Sequence, residues 1–276
     1  MQIVYRGMTR PELDLAYSNS GRVADFPGLM QQMRAESAAF YAARDCRRDL
    51  RYGQGPRETF DWFSCGADGA PTLVFVHGGY WQSCDKEDFA FVAAGPLQRG
   101  FNVVLAEYRL APDIDMTGIV AQIGALLDHL AQDPAGLGTR GRPVCLSGHS
   151  AGGHLAAVHR SHPAVESVLA ISGLYDLLPI SLGALNDKLR LTAQQVADHS
   201  PQVHVTKGAP MVVAVGANEL PELIRQSDDY AQVCTQAGER VQLLHVPGRD
   251  HFNILHDLAD PDGHMLQALM QIRAGG

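Results

Sequence analysis

VCLSGHSAGGHLAAVH, residues 144–159, runs from an apolar stretch through Gly148, Ser150 and Gly152 into a helix-like segment. The apolar run, bounded by glycine, reads as a short buried strand, and the alanine-rich continuation reads as a helix. A serine between small residues at such a turn has two readings. It caps the helix through its side-chain oxygen, or it is a nucleophile held on a tight turn at the positive end of the helix. A Gly-x-Ser-x-Gly match is short enough to arise by chance, so the rest of the chain has to decide.

Outward from this stretch the pattern repeats. TLVFVH (72–77), NVVLAEY (102–108), VLAIS (168–172), MVVAVG (211–216) and QLLHV (242–246) are short, continuous and apolar, as fully buried parallel strands are. Between them lie the helix-like KEDFAFVAAGPLQRG, MTGIVAQIGALLDHLAQD, SAGGHLAAVHRSH and PELIRQSDDYAQVCTQAG. Strict alternation predicts an α/β chain with a mostly parallel central sheet covered by helices on both faces. ETFDWF (58–63) predicts an outer strand, and FPGLMQQMRAESAAFYAARDC a helix packed on the outside. Residues 173–209 break the rhythm with helical fragments and no clear strand, which predicts a lid or cap-like insertion. No repeat or linker divides the chain, so residues 1–276 read as a single domain.

Bulk properties narrow the function classes. With 276 residues the chain can bury a large core without disulfide staples. The formal charge is −8 and no cluster of basic residues occurs, which argues against nucleic acid as a partner. The five cysteines are scattered without a CxxC pair, so neither a disulfide framework nor a cysteine zinc site is indicated. The N-terminal MQIVYRGMTRPELD lacks the apolar core of a signal peptide, and no apolar run nears the roughly 20 residues of a spanning helix. The expectation is a soluble cytoplasmic protein with no membrane partner.

Ligands of open parallel sheets bind at the carboxyl ends of the strands. After TLVFV comes HGGYW (77–81), either an ordinary Gly-Gly turn or a loop presenting bare N–H groups. After VCLS comes GHSAG (148–152), with Ser150. After MVVAVG comes Glu219, the first acid past the strand end, with Glu222 its local competitor and a helix N-terminal role its bland alternative. After QLLHVPG comes His251. His149, the serine's tempting neighbour, does not fit the chain order of a base. His154, His159, His162, His245 and His256 have plainer roles as packing, strand, helix or surface groups, and no histidine pair shows HExxH spacing, so no metal is expected. Ser150, Glu219 and His251 thus each fall just past a predicted strand, in the order nucleophile, acid, histidine of the α/β-hydrolase template.

The chain resembles the α/β-hydrolase superfamily. Within it, the chain is similar to the kynurenine formamidase (arylformamidase) group and related bacterial esterases. The segments that carry the resemblance are HGGYWQ, NVVLAEYRLAP, GHSAGGHL, SGLYDLLPI, LPELIRQS and DHFNIL, with an N-terminal ELDLAYSNS. They span most of the chain from residue 72 onward. The resemblance implies a triad of Ser150, Glu219 and His251 and an oxyanion hole on the His-Gly-Gly segment. The donors assigned are around Gly78, Gly79, Tyr80 and Ala151. Many members carry Asp where this chain has Glu219, and glutamate also serves as a triad acid. Arg109 in EYRLAP reads as a structural ion pair or loop anchor, and Cys84 has no assigned role.

The chain is thus expected to be a serine hydrolase acting on a small-molecule ester or formamide without cofactor. N-formyl-L-kynurenine deformylation is the first reading, a carboxylesterase for small acyl esters the alternative, and a non-catalytic ligand-binding protein on the same scaffold the third. Losing one oxyanion donor costs such enzymes about 2.7–4 kcal/mol. Tyr80, Trp81, His149 and Tyr175, with the 173–209 insertion, are the candidates to wall the substrate pocket; plain core or lid packing is the other reading of the aromatic ones. A homodimer is compatible with the chain.

Overall fold

The computed structural model describes residues 2–275. An antiparallel pair, β1 (Ile3–Tyr5) and β2 (Met8–Thr9), leads into helix α1 (Arg10–Ala16) and the long helix α2 (Phe26–Ala43). Strands β3 (Arg47–Arg51) and β4 (Thr59–Phe63) are antiparallel to each other, and β4 is antiparallel to β6. From β5 (Thr72–Val76) the alternation begins. A 3-10 segment at Lys86–Ala93 and helix α3 (Ala94–Gln98) lead to β6 (Asn102–Ala106) and helix α4 (Met116–Gln132). Strand β7 (Val144–His149), helix α5 (Ala151–Val158) and β8 (Val165–Ile171) follow. The insertion carries three short helices, α6 (Leu178–Leu182), α7 (Asn186–Leu189) and α8 (Ala193–His199). The chain then runs through β9 (Met211–Gly216), α9 (Pro221–Gln236), β10 (Val241–Val246), α10 (Ile254–Ala259) and α11 (His264–Ala274).

Among the described residues the main sheet has eight strands in the order β10-β9-β8-β7-β5-β6-β4-β3, and the pairs from β6 through β10 are parallel. Successive side chains of a strand face opposite ways. Val74, Val76, Val104 and Ala106 therefore enter one core, with α4, α5 and α9, while Leu73, Phe75, Val103 and Leu105 enter the other, with α2, α10 and α11. This double burial is why the central strands are apolar throughout. Among the described residues no helix is long and apolar enough to cross a membrane.

Three expectations need correction. ETFDWF is not the outer strand: β3, RRDLR, lies outside it, and its mostly exposed charged residues hid it from an apolar pattern. Charges on an edge strand are a common guard against unwanted pairing. QLLHV is not fully buried, because β10 is the opposite edge and Leu243 is exposed. KEDFAFVAAGPLQRG is not one helix but 3-10 turns followed by a single α-helical segment, with Phe89 at φ −124° breaking the run.

Candidate active site

Ser150 sits between β7 and α5 at φ 56°, ψ −115°. A non-glycine residue rarely adopts such a backbone, which typically costs about 1–3 kcal/mol. The turn is tight enough to demand the neighbouring glycines. A Cβ on Gly148 would meet the backbone of Gly152, and one on Gly152 would meet the carbonyl of Val76 on the adjacent strand. The Ser150 N–H donates to the Ile171 carbonyl at 2.8 Å, which fixes the elbow against β8. The hydroxyl makes no capping bond to α5. It faces His251 instead, 3.1 Å from Nε2.

His251 lies in the loop after β10, where Asp250 accepts from the N–H groups of Phe252 and Asn253. Its Nδ1 is 2.7 Å from Glu219 Oε2. A carboxylate accepts, so the proton belongs on Nδ1 and the lone pair of Nε2 is left for the serine hydroxyl. Glu219 Oε1 in turn accepts from Ser172 Oγ at 2.5 Å and from the Gly216 N–H at 2.8 Å. The structure thus brings Ser150, His251 and Glu219 into one hydrogen-bonded line. Glu222 is elsewhere, paired with Arg225 at 2.7 Å and accepting from Tyr17 Oη. Sequence reasoning misses Ser172, although it is the first polar residue beyond the apolar run of β8.

His149, next to the serine in sequence, does not meet it. Its Nε2–H donates to the His251 carbonyl at 2.7 Å. Burial, and then the neighbouring His251, hold it well below the ordinary histidine value, so it is neutral. It works as a strut for the loop that carries His251.

The HGGYW loop comes up against the elbow. A Cβ on Gly78 would lie 3.0 Å from the His149 carbonyl and 3.1 Å from Ser150 Cβ. Gly79, Tyr80 and Trp81 all have positive φ, free for the glycine and strained for the two aromatic residues. The Gly79 carbonyl accepts from the N–H groups of Gln82 and Ser83, which pins the turn. Ala151 is the first residue of α5, at its positive end. Gly78, Gly79 and Tyr80 line the same cavity as Ser150, and Ala151 follows it directly at the start of α5. At the base of the loop, His77 stacks on Tyr108 and its Nε2 is 3.0 Å from Glu107 Oε1. Glu107 is buried and also accepts from Arg57 at 2.7 Å and from the backbone N–H groups of Tyr108 and Lys86. Burial alone would raise this carboxyl, but His77, Arg57 and the Tyr108 N–H outweigh it and hold it below the usual range. The EYRLAP segment matters through Glu107 more than Arg109. Arg109 anchors its loop by donating to the Asp113 carbonyl and is in no ion pair among the described residues.

Ser150 and His251 open into a cavity of about 230 Å³ with Gly78, Gly79, Tyr80 and His149 in its lining. Trp81 and Tyr175 do not line it, contrary to expectation. Trp81 is fully buried with its ring edge-on to His154, and Tyr175 is fully buried and stacked on Tyr230. The aromatic and apolar wall comes instead from Phe26 and Met30 of α2, Phe89 and Phe252. The insertion adds Leu185, and Asn19 and Ser20 come from the segment before α2. Nothing in the local sequence pattern of these N-terminal residues places them over the far end of the sheet. Cys84 also borders the cavity, and burial pushes its thiol up to about 11, so it is protonated at neutral pH and a poor nucleophile.

Comparisons with known proteins bear on the fold and the family. A BD-FAE family model matches residues 64–168. Kynurenine formamidase of Salmo salar is 34% identical over 241 residues, covering 81% of this chain and 81% of the relative. Kynurenine formamidase of Danio rerio is 30% identical over 291 residues, covering 97% and 98%. Among solved structures, a candidate thioesterase from a Silicibacter species superposes with a TM-score of 0.84 at 28% identity, covering 94% of this chain and 99% of that one. The sheet order, the helices on both faces and these likenesses make the protein a hydrolase of the α/β-hydrolase fold. The chain belongs to the kynurenine formamidase family.

Proposed function

We propose that the protein is a serine hydrolase that removes a small acyl group through an acyl-enzyme on Ser150, with N-formyl-L-kynurenine as its substrate. The observation that carries this reading is the continuous line Glu219–His251–Ser150, at 2.7 and 3.1 Å. A serine hydroxyl is a weak nucleophile at neutral pH. His251 Nε2 takes its proton as Oγ attacks the formyl carbon. Glu219 holds the ring in the required tautomer and stabilises the imidazolium. The carbonyl oxygen gains negative charge, which the N–H groups of Gly79, Tyr80 and Ala151 receive. His251 then gives the proton to the departing arylamine, and the C–N bond breaks. Water, deprotonated by His251, attacks the formyl ester and releases formate and Ser150. We place this activity in the cytoplasm, a reading supported by the five unpaired cysteines.

The carboxylesterase reading has an observation of its own: neither Lys nor Arg is among the residues lining the cavity, so no buried cation awaits the carboxylate of kynurenine. The deciding experiment compares kcat/KM for N-formyl-L-kynurenine with values for short aryl and alkyl esters. Formamidase action predicts that N-formylkynurenine is the better substrate. A much higher value for the esters establishes the esterase instead.

A further inference from the structure

Ser172 follows the last residue of β8 and is fully buried. With Ile171 it touches both the nucleophile and the acid. The Ile171 carbonyl accepts from the Ser150 N–H at 2.8 Å, and the Ser172 hydroxyl donates to Glu219 Oε1 at 2.5 Å. One strand end therefore braces the backbone of Ser150 and the carboxylate of Glu219. The Ser172 N–H donates to the Ala214 carbonyl of β9 at 2.7 Å, so Oγ is presented from a tethered backbone. That backbone has φ 52°, which glycine adopts freely and serine does not. What serine brings to this turn and glycine lacks is the hydroxyl. Glu219 needs such a hold. A glutamate carboxylate sits on one more rotatable bond than that of aspartate, so more freedom is lost when it is fixed. Oε2 makes the contact to His251 Nδ1 at 2.7 Å, and Oε1 accepts from the Gly216 N–H at 2.8 Å. A single donor on Oε1 leaves the carboxylate free to swivel about it. The Ser172 hydroxyl is the second donor, and together they fix the plane in which Oε2 meets the imidazole.

We propose that Ser172 is a positioning residue for the reaction. Acting through Glu219, it holds the carboxylate where it keeps a proton on His251 Nδ1 and the Nε2 lone pair on Ser150. This rests on the serine-hydrolase reading of the site. It adds the group that lets a glutamate serve there as the acid.

The test follows hydrolysis of phenyl acetate, so that it does not depend on formamidase activity. Ser172→Ala and Ser172→Gly are each measured alone and combined with Glu219→Ala. Alone, each lowers kcat about ten- to a hundredfold, as for loss of a hydrogen bond to a charged group, while KM stays within about threefold. In the Glu219→Ala background the same changes lower kcat by less than about twofold, because the carboxylate they act on is gone. Glycine fits this turn without strain, so Ser172→Gly decides alone if Ser172→Ala does not fold. Equal losses with and without Glu219 overturn the proposal, because they make Ser172 a prop for the end of β8. A kcat in Ser172→Gly within about twofold of wild type overturns it as well, because the turn then matters and the hydroxyl does not. So does a loss that falls on KM. Failure of the underlying reading looks different and takes the proposal with it: Ser150→Ala or Glu219→Ala alone would hydrolyse phenyl acetate at the wild-type rate.

Discussion

Ser150 pays for its position with a left-handed backbone, and what it gains is a hydroxyl clear of the helix it precedes and 3.1 Å from His251. In the proposed mechanism, removing either group leaves oxyanion binding but no activated nucleophile. Ser150→Ala and His251→Ala are each expected to lower kcat by about 10⁶-fold, and Glu219→Ala by about 10⁴-fold, in steady-state assays of folded protein. Glu222→Ala tests the choice of acid. Its carboxylate pairs with Arg225, so turnover per folded molecule stays within a few-fold of wild type. Large loss in Glu222→Ala with a silent Glu219→Ala would show that Glu222 is the acid. At this scale the sequence is most informative about groups whose position follows from strand ends. Ser150, Glu219 and His251 each stand just past one. Ser172 is marked only by following β8, and nothing marks Glu107, because their roles come from partners 47 and 30 residues away.

The elements supply rigidity. The elbow requires Gly152, whose α-hydrogen faces the Val76 carbonyl across the strand gap. Gly152→Ala forces β5 and α5 apart. The expected result is a loss of about 1–3 kcal/mol in urea unfolding, as for overpacked sites, with a drop in kcat. The HGGYW loop is strained at two successive residues, Tyr80 and Trp81, and rests on His77 and Glu107. Glu107→Gln removes the charge that binds Arg57 and His77 while keeping the shape. It should lower kcat at least about tenfold with a smaller change in KM, the signature of an interaction made in the transition state. Equal effects on both constants would make Glu107 a determinant of pocket shape instead. Element type is legible wherever burial on both faces makes a strand continuously apolar. It fails at β3, where an edge position lets charge in; at β10 the strand is legible and only its full burial is not, since the opposite edge leaves Leu243 exposed. Trp81 and Tyr175 show the same gap for side chains: a strand-end aromatic can turn into the core as readily as into a pocket.

Across the whole molecule, the helix layer of α4 and α5 holds neutral histidines, His154 fully buried and His159 half-buried. Burial holds His154 at about 3 and His159 at about 4. Their unfolded value is about 6.5, so between that value and about 4 the unfolded chain binds more protons and stability falls as the pH is lowered. At pH 5 each such histidine costs about 2 kcal/mol relative to pH 7. His154→Gln, which can still donate to the His199 carbonyl, should shrink the difference between urea unfolding at pH 7 and pH 5 by about that amount. An unaltered difference would show that His154 is protonated without penalty.

The central claim, that Ser150 is the nucleophile, is tested most directly by covalent capture. The protein is treated with a small alkyl fluorophosphonate, and the modified peptide is located by mass spectrometry. The predicted result is one phosphonyl group on Ser150, loss of hydrolysis in step with labelling, and no labelling in Ser150→Ala or His251→Ala. A phosphonyl group on another residue that accompanies the loss of activity, or full activity with Ser150 modified, would contradict it.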